Sequence, residues 1–317
     1  MDTVYFVAQQ TMYFAIPLLI VALGGMFSER SGTINIALEG IMVVGAFAGI
    51  SFINFFQSSM SGQGLLILAI LTAGVSGGIF SLFHAFASIK LKADQTISGT
   101  ALNMFAPAFA IFVARMVQGV QQVQFKDTFY IRSVPVLGNI PVIGPILFQN
   151  SYITTYICLG IALLSWAVIN HTRFGLRLRA CGEHPQAADS VGINVYRIRY
   201  AGVLISGVLA GIGGLTFVVP TSTNFNATVA GYGFLALAVL IFGQWRTKKI
   251  FFAAFFFGIM KTFASAYSGI PMLKALPISN EIYKMIPYIA TLVVLTFSSK
   301  NSQAPKAEGI PYDKGSR

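Results

Sequence analysis

Runs of about 20 apolar residues recur along this sequence, and they constrain the fold before any single residue does. A helix rising 1.5 Å per residue needs roughly 20 such residues to cross the hydrocarbon core of a bilayer. The ~10-residue alternating segments of a membrane barrel do not recur. Composition agrees: 55% of the residues are hydrophobic and 10% are charged, against about 25% charged in a soluble domain. Too few charges remain to cover a water-facing surface. The expected fold is therefore all-α, a polytopic membrane helical bundle.

The runs divide into about nine spans, in a range of eight to ten. They cover Thr11 to Phe27, Ile34 to Phe56, Leu65 to Leu91, a fourth reaching Val117, Tyr152 to Ile169, Ala201 to Val219, Tyr232 to Phe242, Ile250 to Tyr267 and Ile282 to Phe297. Residues 1–299 then form the membrane domain, with a loop at 119–150 and a second, arginine-bearing loop at 172–200. The first loop carries Pro135, Pro141 and Pro145 among apolar residues, and reads as interfacial or partly re-entrant. A further loop with Pro271 and Pro277 is expected from Ser268 to Asn280. The polar tail, 300–317, reads as disordered. No basic n-region precedes the first run, so that run itself would direct insertion.

Charge sets the expected orientation. Of the 21 Lys and Arg residues, fifteen fall on one side of this arrangement, among them Arg30, Lys90, Lys92, Arg246, Lys248 and Lys249. Five fall on the other: Arg115, Lys126, Arg132, Lys274 and Lys284. The richer side is cytoplasmic by the positive-inside rule, with the N-terminus outside and the C-terminus inside. The same bias accounts for the net charge of +11, so nucleic acid is not an expected partner.

Chemistry-bearing patterns are scarce. His84, His171 and His184 have no metal-ligand spacing, and Cys158 and Cys181 suggest neither a disulfide nor a metal site. No Gly-x-x-x-x-Gly-Lys-Ser/Thr loop is present to hold a nucleotide triphosphate. Neither an enzyme, a metal nor a cofactor is expected. Glu39 and Lys261, however, lie inside apolar runs, where a charge costs about 2.5–3.5 kcal/mol on insertion scales. Asn35, Glu39 and Asn103 are candidates to line a polar pathway. Two structural readings stand beside this one: Glu39 caps backbone amides at a broken helix start, or Lys261 pairs with it. Tyr232 and Trp245 read as membrane-interface anchors.

The loop at 172–200 holds Arg173, Arg177, Arg179, Arg197 and Arg199 around a short helix that begins at Pro185 and stops at Gly192. A polar helix held between two spans on the basic side suggests a docking element.

Four stretches carry a resemblance. Gly32-Thr33-Ile34-Asn35-Ile36-Ala37-Leu38-Glu39-Gly40 and Gly182-Glu183-His184-Pro185-Gln186-Ala187-Ala188-Asp189-Ser190-Val191-Gly192-Ile193-Asn194-Val195 resemble segments of ABC-importer permeases of the ribose, branched-chain amino acid and nucleoside group. Lys92 to Asn103 and Gly233 to Gly243 resemble the nucleoside branch. His184 stands where that group commonly has Asn. The resemblance runs from about Ile16 to Phe297.

It implies a permease subunit that passes nucleosides across the cell membrane. The expected partners are a homologous second permease, separate ATP-binding subunits and an extracytoplasmic substrate-binding lipoprotein. The short loop helix becomes a coupling helix, with Arg179, Gly182, Glu183, Pro185, Ala187, Ala188 and Gly192 as candidate coupling residues and Arg177 as a further charged contact. The outer loops at 119–150 and Ser268 to Asn280 would meet the binding protein. A permease for ribose, another sugar or a branched-chain amino acid fits the same resemblance. A different class, an ion-coupled secondary transporter with Glu39 as proton carrier, fits the residues less well because no repeated halves are visible.

Overall fold

The computed structural model describes residues 2–126, 129–266, 279–298 and 303–315. Among them the helices are α1 (Asp2–Glu29), α2 (Leu38–Phe56), α3 (Gln63–Ala85), α4 (Gln95–Gln118), α5 (Ile153–His171), α6 (Arg173–Glu183), α7 (Pro185–Ser190), α8 (Val195–Thr221), α9 (Tyr232–Phe242), α10 (Thr247–Ala266) and α11 (Asn280–Ser298). Six helices are long and apolar enough to cross a membrane: α1, α2, α3 with its continuation to Lys90, α4, α5 and α8. They coincide with the first six expected spans. The last three expected spans fall on α9, an apolar helix of 11 residues, and on α10 and α11. The loop expected at Ser268 to Asn280 lies almost wholly outside the described residues.

Small residues place α8 at the centre. It packs against α1, α2 and α3, and glycine lets the backbones touch. A Cβ on Gly45 would lie 2.3 Å from Gly211 Cα, and one on Gly77 would lie 2.4 Å from the Gly207 carbonyl oxygen. In lipid no hydrophobic force drives helices together, so this close van der Waals approach holds the bundle. α1 and α8 are the most enclosed spans, whereas α4 and α5 turn apolar faces outward.

The 119–150 loop is a folded cap. Strand β1 (Val123–Gln124) pairs antiparallel with β4 (Asn224–Phe225), and β2 (Ile131–Ser133) with β3 (Gln149–Ser151). Side chains from the spans close the remaining backbone groups. Gln9 Nε2 donates to the Pro145 carbonyl at 2.7 Å, Gln63 Nε2 to that of Phe129 at 2.8 Å, and the Tyr13 hydroxyl to that of Asn150.

At the other end residues 303–315, within the stretch read from sequence as disordered, lie as a strap along the chain. Ala307 N–H donates to the Gly182 carbonyl at 2.8 Å and Gly309 N–H to that of Gly32 at 3.3 Å. Buried Arg199 donates through Nη1 to the Ile310 carbonyl at 2.9 Å. Lys92 and Asp313 form an exposed ion pair at 2.7 Å, and Lys314 approaches Asp189 at 3.7 Å. The expectation of disorder rests on a polar stretch that carries Pro305 and Pro311; Pro305, Ala307 and Tyr312 are nonetheless buried.

Candidate functional site

Between α1 and α2 the chain leaves the helix for residues 30–37 while staying inside the bundle. Backbone groups there need partners, since an unpaired amide in a dry interior costs several kcal/mol. Side chains supply them. Ile34 N–H donates to Gln95 Oε1 at 2.7 Å, the Ile34 carbonyl sits 2.7 Å from His84 Nε2, and Ser28 Oγ donates to the Thr33 carbonyl at 2.7 Å. Asn35, fully buried, donates through Nδ2 to Ser206 Oγ of α8 at 2.8 Å, and its Oδ1 has no partner.

Two helix starts facing this break are capped from other helices. The first N–H groups of any helix lack intrahelical acceptors and carry a partial positive charge. α2 has no side-chain cap of its own. Asn103 of α4 fills that role: its Oδ1 accepts from Gly40 N–H at 2.7 Å, while its Nδ2 donates to the Ile36 carbonyl at 2.8 Å. α9 likewise lacks a side-chain cap of its own. Glu39 of α2 supplies a carboxylate, accepting from Gly231 N–H at 2.9 Å and Gly233 N–H at 2.6 Å. The two caps run in series, from α4 to α2 to α9.

Asn35, Glu39 and Asn103 are thus brought to one break in the bundle, as backbone-capping groups on different elements. Of the two structural readings of Glu39, the amide cap is the one its hydrogen bonds express, and the amides belong to α9 rather than to its own helix. Lys261 does not pair with it among the described ion pairs. Its Nζ stands 5.7 Å from the centroid of the Tyr232 ring, a cation–π distance.

Beside the α9 start lies a cavity of about 410 Å³ between α9, α10 and α11, lined among others by Tyr232, Phe234, Lys261, Tyr288 and Thr291. Its volume falls in the range of roughly 300–1,000 Å³ usual for small-molecule sites. Tyr232 is buried, stacks on Phe217 with centroids 3.9 Å apart, and its hydroxyl has no hydrogen-bond partner among the described residues. The interface-anchor reading of Tyr232 does not match this placement. Phe234, Tyr288 and Lys261 give the cavity aromatic surface and one ammonium, while Tyr232 closes its wall from within the bundle. Lys261 was visible in the sequence as a charge within an apolar run; nothing there showed that Tyr232 and Tyr288 share its cavity.

The arginine-bearing loop forms two helices. Thr172 Oγ1 caps α6 by accepting from Gly175 N–H at 3.1 Å. Pro185 opens α7 where no amide donor is needed. Gly192 ends it with φ +83°, a left-handed conformation that other residues adopt at a cost. The candidate coupling residues divide by exposure. Ala187 and Gly192 face outward, together with Val191. Gly182, Pro185 and Ala188 face inward; a Cβ on Gly182 would lie 2.3 Å from the Arg30 carbonyl oxygen. Glu183 approaches Arg30 at 3.7 Å, and Arg179 is half-buried. Cys181, beneath this loop, has its thiol pushed up to about 11 by burial, which keeps it protonated and unreactive at neutral pH.

A glycine-packed bundle of six long apolar helices, with a non-helical break between α1 and α2 and a short, partly exposed helix before α8, defines a class: multi-pass membrane proteins. The family model for the permease component of branched-chain amino acid transport systems matches residues 7–295, and the chain belongs to that family. It is 43% identical to the guanosine ABC transporter permease protein NupQ of Bacillus subtilis, over 97% of this chain and 96% of that one. It is 40% identical to the nucleoside ABC transporter permease protein NupC of Lactococcus lactis, over 99% and 98%. The guanosine ABC transporter permease protein NupP of Bacillus subtilis is also similar, at 25% identity over 93% of this chain and 82% of that one.

Proposed function

We propose that this chain is one permease subunit of an ATP-binding-cassette importer for nucleosides. The observation that carries the substrate is the near-complete alignment, at 40–43% identity, with two permeases named for guanosine and nucleosides. The aromatic cavity beside α9 supports it, because a purine or pyrimidine stacks on rings such as Phe234 and Tyr288 and its sugar hydroxyls suit Lys261. Asn35, Glu39 and Asn103 act behind the pathway, holding the α2 and α9 starts that border it.

In this reading nine helices cross the membrane, with the N-terminus outside and α6, α7 and the strap in the cytoplasm. A separate ATPase meets α7 through Ala187, Val191 and Gly192, while Gly182, Pro185 and Ala188 seat the helix and Arg179 and Glu183 flank it. The second permease resembles NupP, itself similar to this chain in the organism that also has NupQ. A substrate-binding lipoprotein docks on the 119–150 cap. Closure of the ATPase dimer moves α7, and the bundle rocks as packed blocks.

Uptake of labelled guanosine and uridine in cells lacking other nucleoside carriers tests the reading. Deletion of this chain should abolish uptake, with unlabelled nucleosides competing and ribose or leucine not. Uptake unchanged by deletion, or blocked by ribose or leucine, overturns the substrate assignment. Loss of uptake with an ionophore, together with survival when the ATPase is inactivated, would mark an ion-coupled transporter instead.

A further inference from the structure

A second cavity, of about 750 Å³, lies where α5 ends and α10 begins, beside α6 and the strap. Its lining gathers six cations: Arg30, Arg179, Arg246, Lys248, Lys249 and Lys306. Of the 10 acidic residues in the chain, only Glu183 joins them, and it faces Arg30. Arg30 also donates from Nε and Nη2 to the Trp245 carbonyl at 3.2 and 3.1 Å, so its guanidinium is occupied. Arg246, Lys248, Lys249 and Lys306 form no ion pair among the described residues and point charge into the cavity unopposed. Like charges gathered at one cavity repel, and a bound anion removes that repulsion.

Two further observations say what kind of anion. Trp166, partly exposed at the end of α5, lines the cavity, and indoles favour the headgroup level of a bilayer; Trp245, also in the lining, is buried with its indole N–H donating to Glu29. One turn deeper, the helices on either side present apolar surface outward: Leu163 and Leu164 on α5, Phe252 on α10. Polar lining thus gives way directly to side chains that suit acyl chains. A soluble phosphate has no use for that second surface, and an acidic protein segment has no use for its depth below the headgroup level.

We propose that this cavity holds the headgroup of an anionic phospholipid, its phosphate on Arg246, Lys248 and Lys249 and its acyl chains along α5 and α10. Because the strap contributes Lys306 and α6 contributes Arg179, the lipid ties both to the membrane surface and steadies the loop that carries α7. The assignment needs no particular transported substrate.

Trp166 makes the site its own reporter. The full-length chain is placed in phosphatidylcholine nanodiscs, and brominated phosphatidylglycerol or brominated phosphatidylcholine is added at equal mole fraction and fixed ionic strength. Brominated phosphatidylglycerol should quench more strongly. Each cation replaced among Arg246→Gln, Lys248→Gln and Lys249→Gln should lower its excess occupancy about fivefold, with thermal stability confirming that the variants remain folded. Trp166→Phe should remove most of the excess. Equal quenching by the two lipids overturns the proposal. So does reversal by millimolar inorganic phosphate, which would mark a soluble-anion site. A triple variant that keeps its lipid preference but no longer retains the ATPase subunit would make the cluster a protein-docking surface and overturns it too.

Discussion

Glu39 shows how far one side chain can be read. Its type and place announced an expensive charge in an apolar run; its partners lie 192 and 194 residues away and no local pattern points to them. Replacing it by Ala strands two buried amides, at about 1–3 kcal/mol each. Glu39→Ala is therefore expected to lower the melting temperature in detergent and to abolish uptake, whereas Glu39→Gln, which keeps one good acceptor, should lose only part of both. Equal thermal stability in all three proteins would show that the carboxylate does not hold α9. Glu308 offers a pH test. Burial raises its carboxyl above the usual value, against the lowering effects of its hydrogen bond to Glu29 and the charge on Arg30. A raised folded-state pKa means a contribution complete below the ordinary value of about 4.3 and lost as pH climbs through the raised one. Proteolysis within the strap should thus accelerate as pH rises above the ordinary carboxylate range, and Glu308→Gln, uncharged throughout, should flatten that rise. The same rise in both proteins would remove Glu308 as its cause.

Helices set the next scale. Nothing in the sequence shows which glycine meets which. The structure pairs Gly45 and Gly77 with the 207–211 stretch of α8, leaving no room for a side chain. Gly45→Leu or Gly211→Leu should therefore prevent stable assembly, seen as loss of the monodisperse peak in size-exclusion chromatography. Gly64→Leu, where an added Cβ meets nothing within 4 Å, serves as the tolerated control. α7 was legible almost whole, because Pro185 and Gly192 mark its ends by backbone chemistry alone. Which of its faces is outward was not, since that depends on α8 and the strap. Ala187→Asp on the outward face and Gly192→Val at its positive φ should leave the permease inserted and cut transport. ATPase activity of the assembled importer, measured alongside uptake, should persist without import. Normal import by both variants would move the coupling contact elsewhere.

At the scale of the molecule, hydropathy marked six helices long enough to cross a membrane where they lie, because each is long and apolar. The fit was poorer where length and polarity compete: α9 has only 11 residues, and α10 carries Lys248, Lys249 and Lys261. The folded cap at 119–150 and the hydrogen-bonded strap were not legible in the sequence for one reason. Both gain order from contacts with distant spans, as in the bonds from Gln9, Tyr13 and Arg199, and local composition records none of these. An assembly with a homologous permease should be visible directly. Purification through a tag on this chain is expected to retain a NupP-like chain in equal amount, and recovery of two copies of this chain alone would replace the heterodimer by a homodimer.

The strap has a consequence for biosynthesis. Residues 303–315 follow every described helix in the chain, yet their hydrogen bonds reach back to Gly32, Gly182 and Arg199. A ribosome delivers them only after the earlier segments have entered the bilayer. The surface around α7 consequently cannot mature during insertion; it is finished last, by the chain folding back on itself. A chain stalled before α11 would sit in the membrane without the strap's hydrogen bonds to Gly32, Gly182 and Arg199, and under the function proposed above it would not yet offer the ATPase a finished surface.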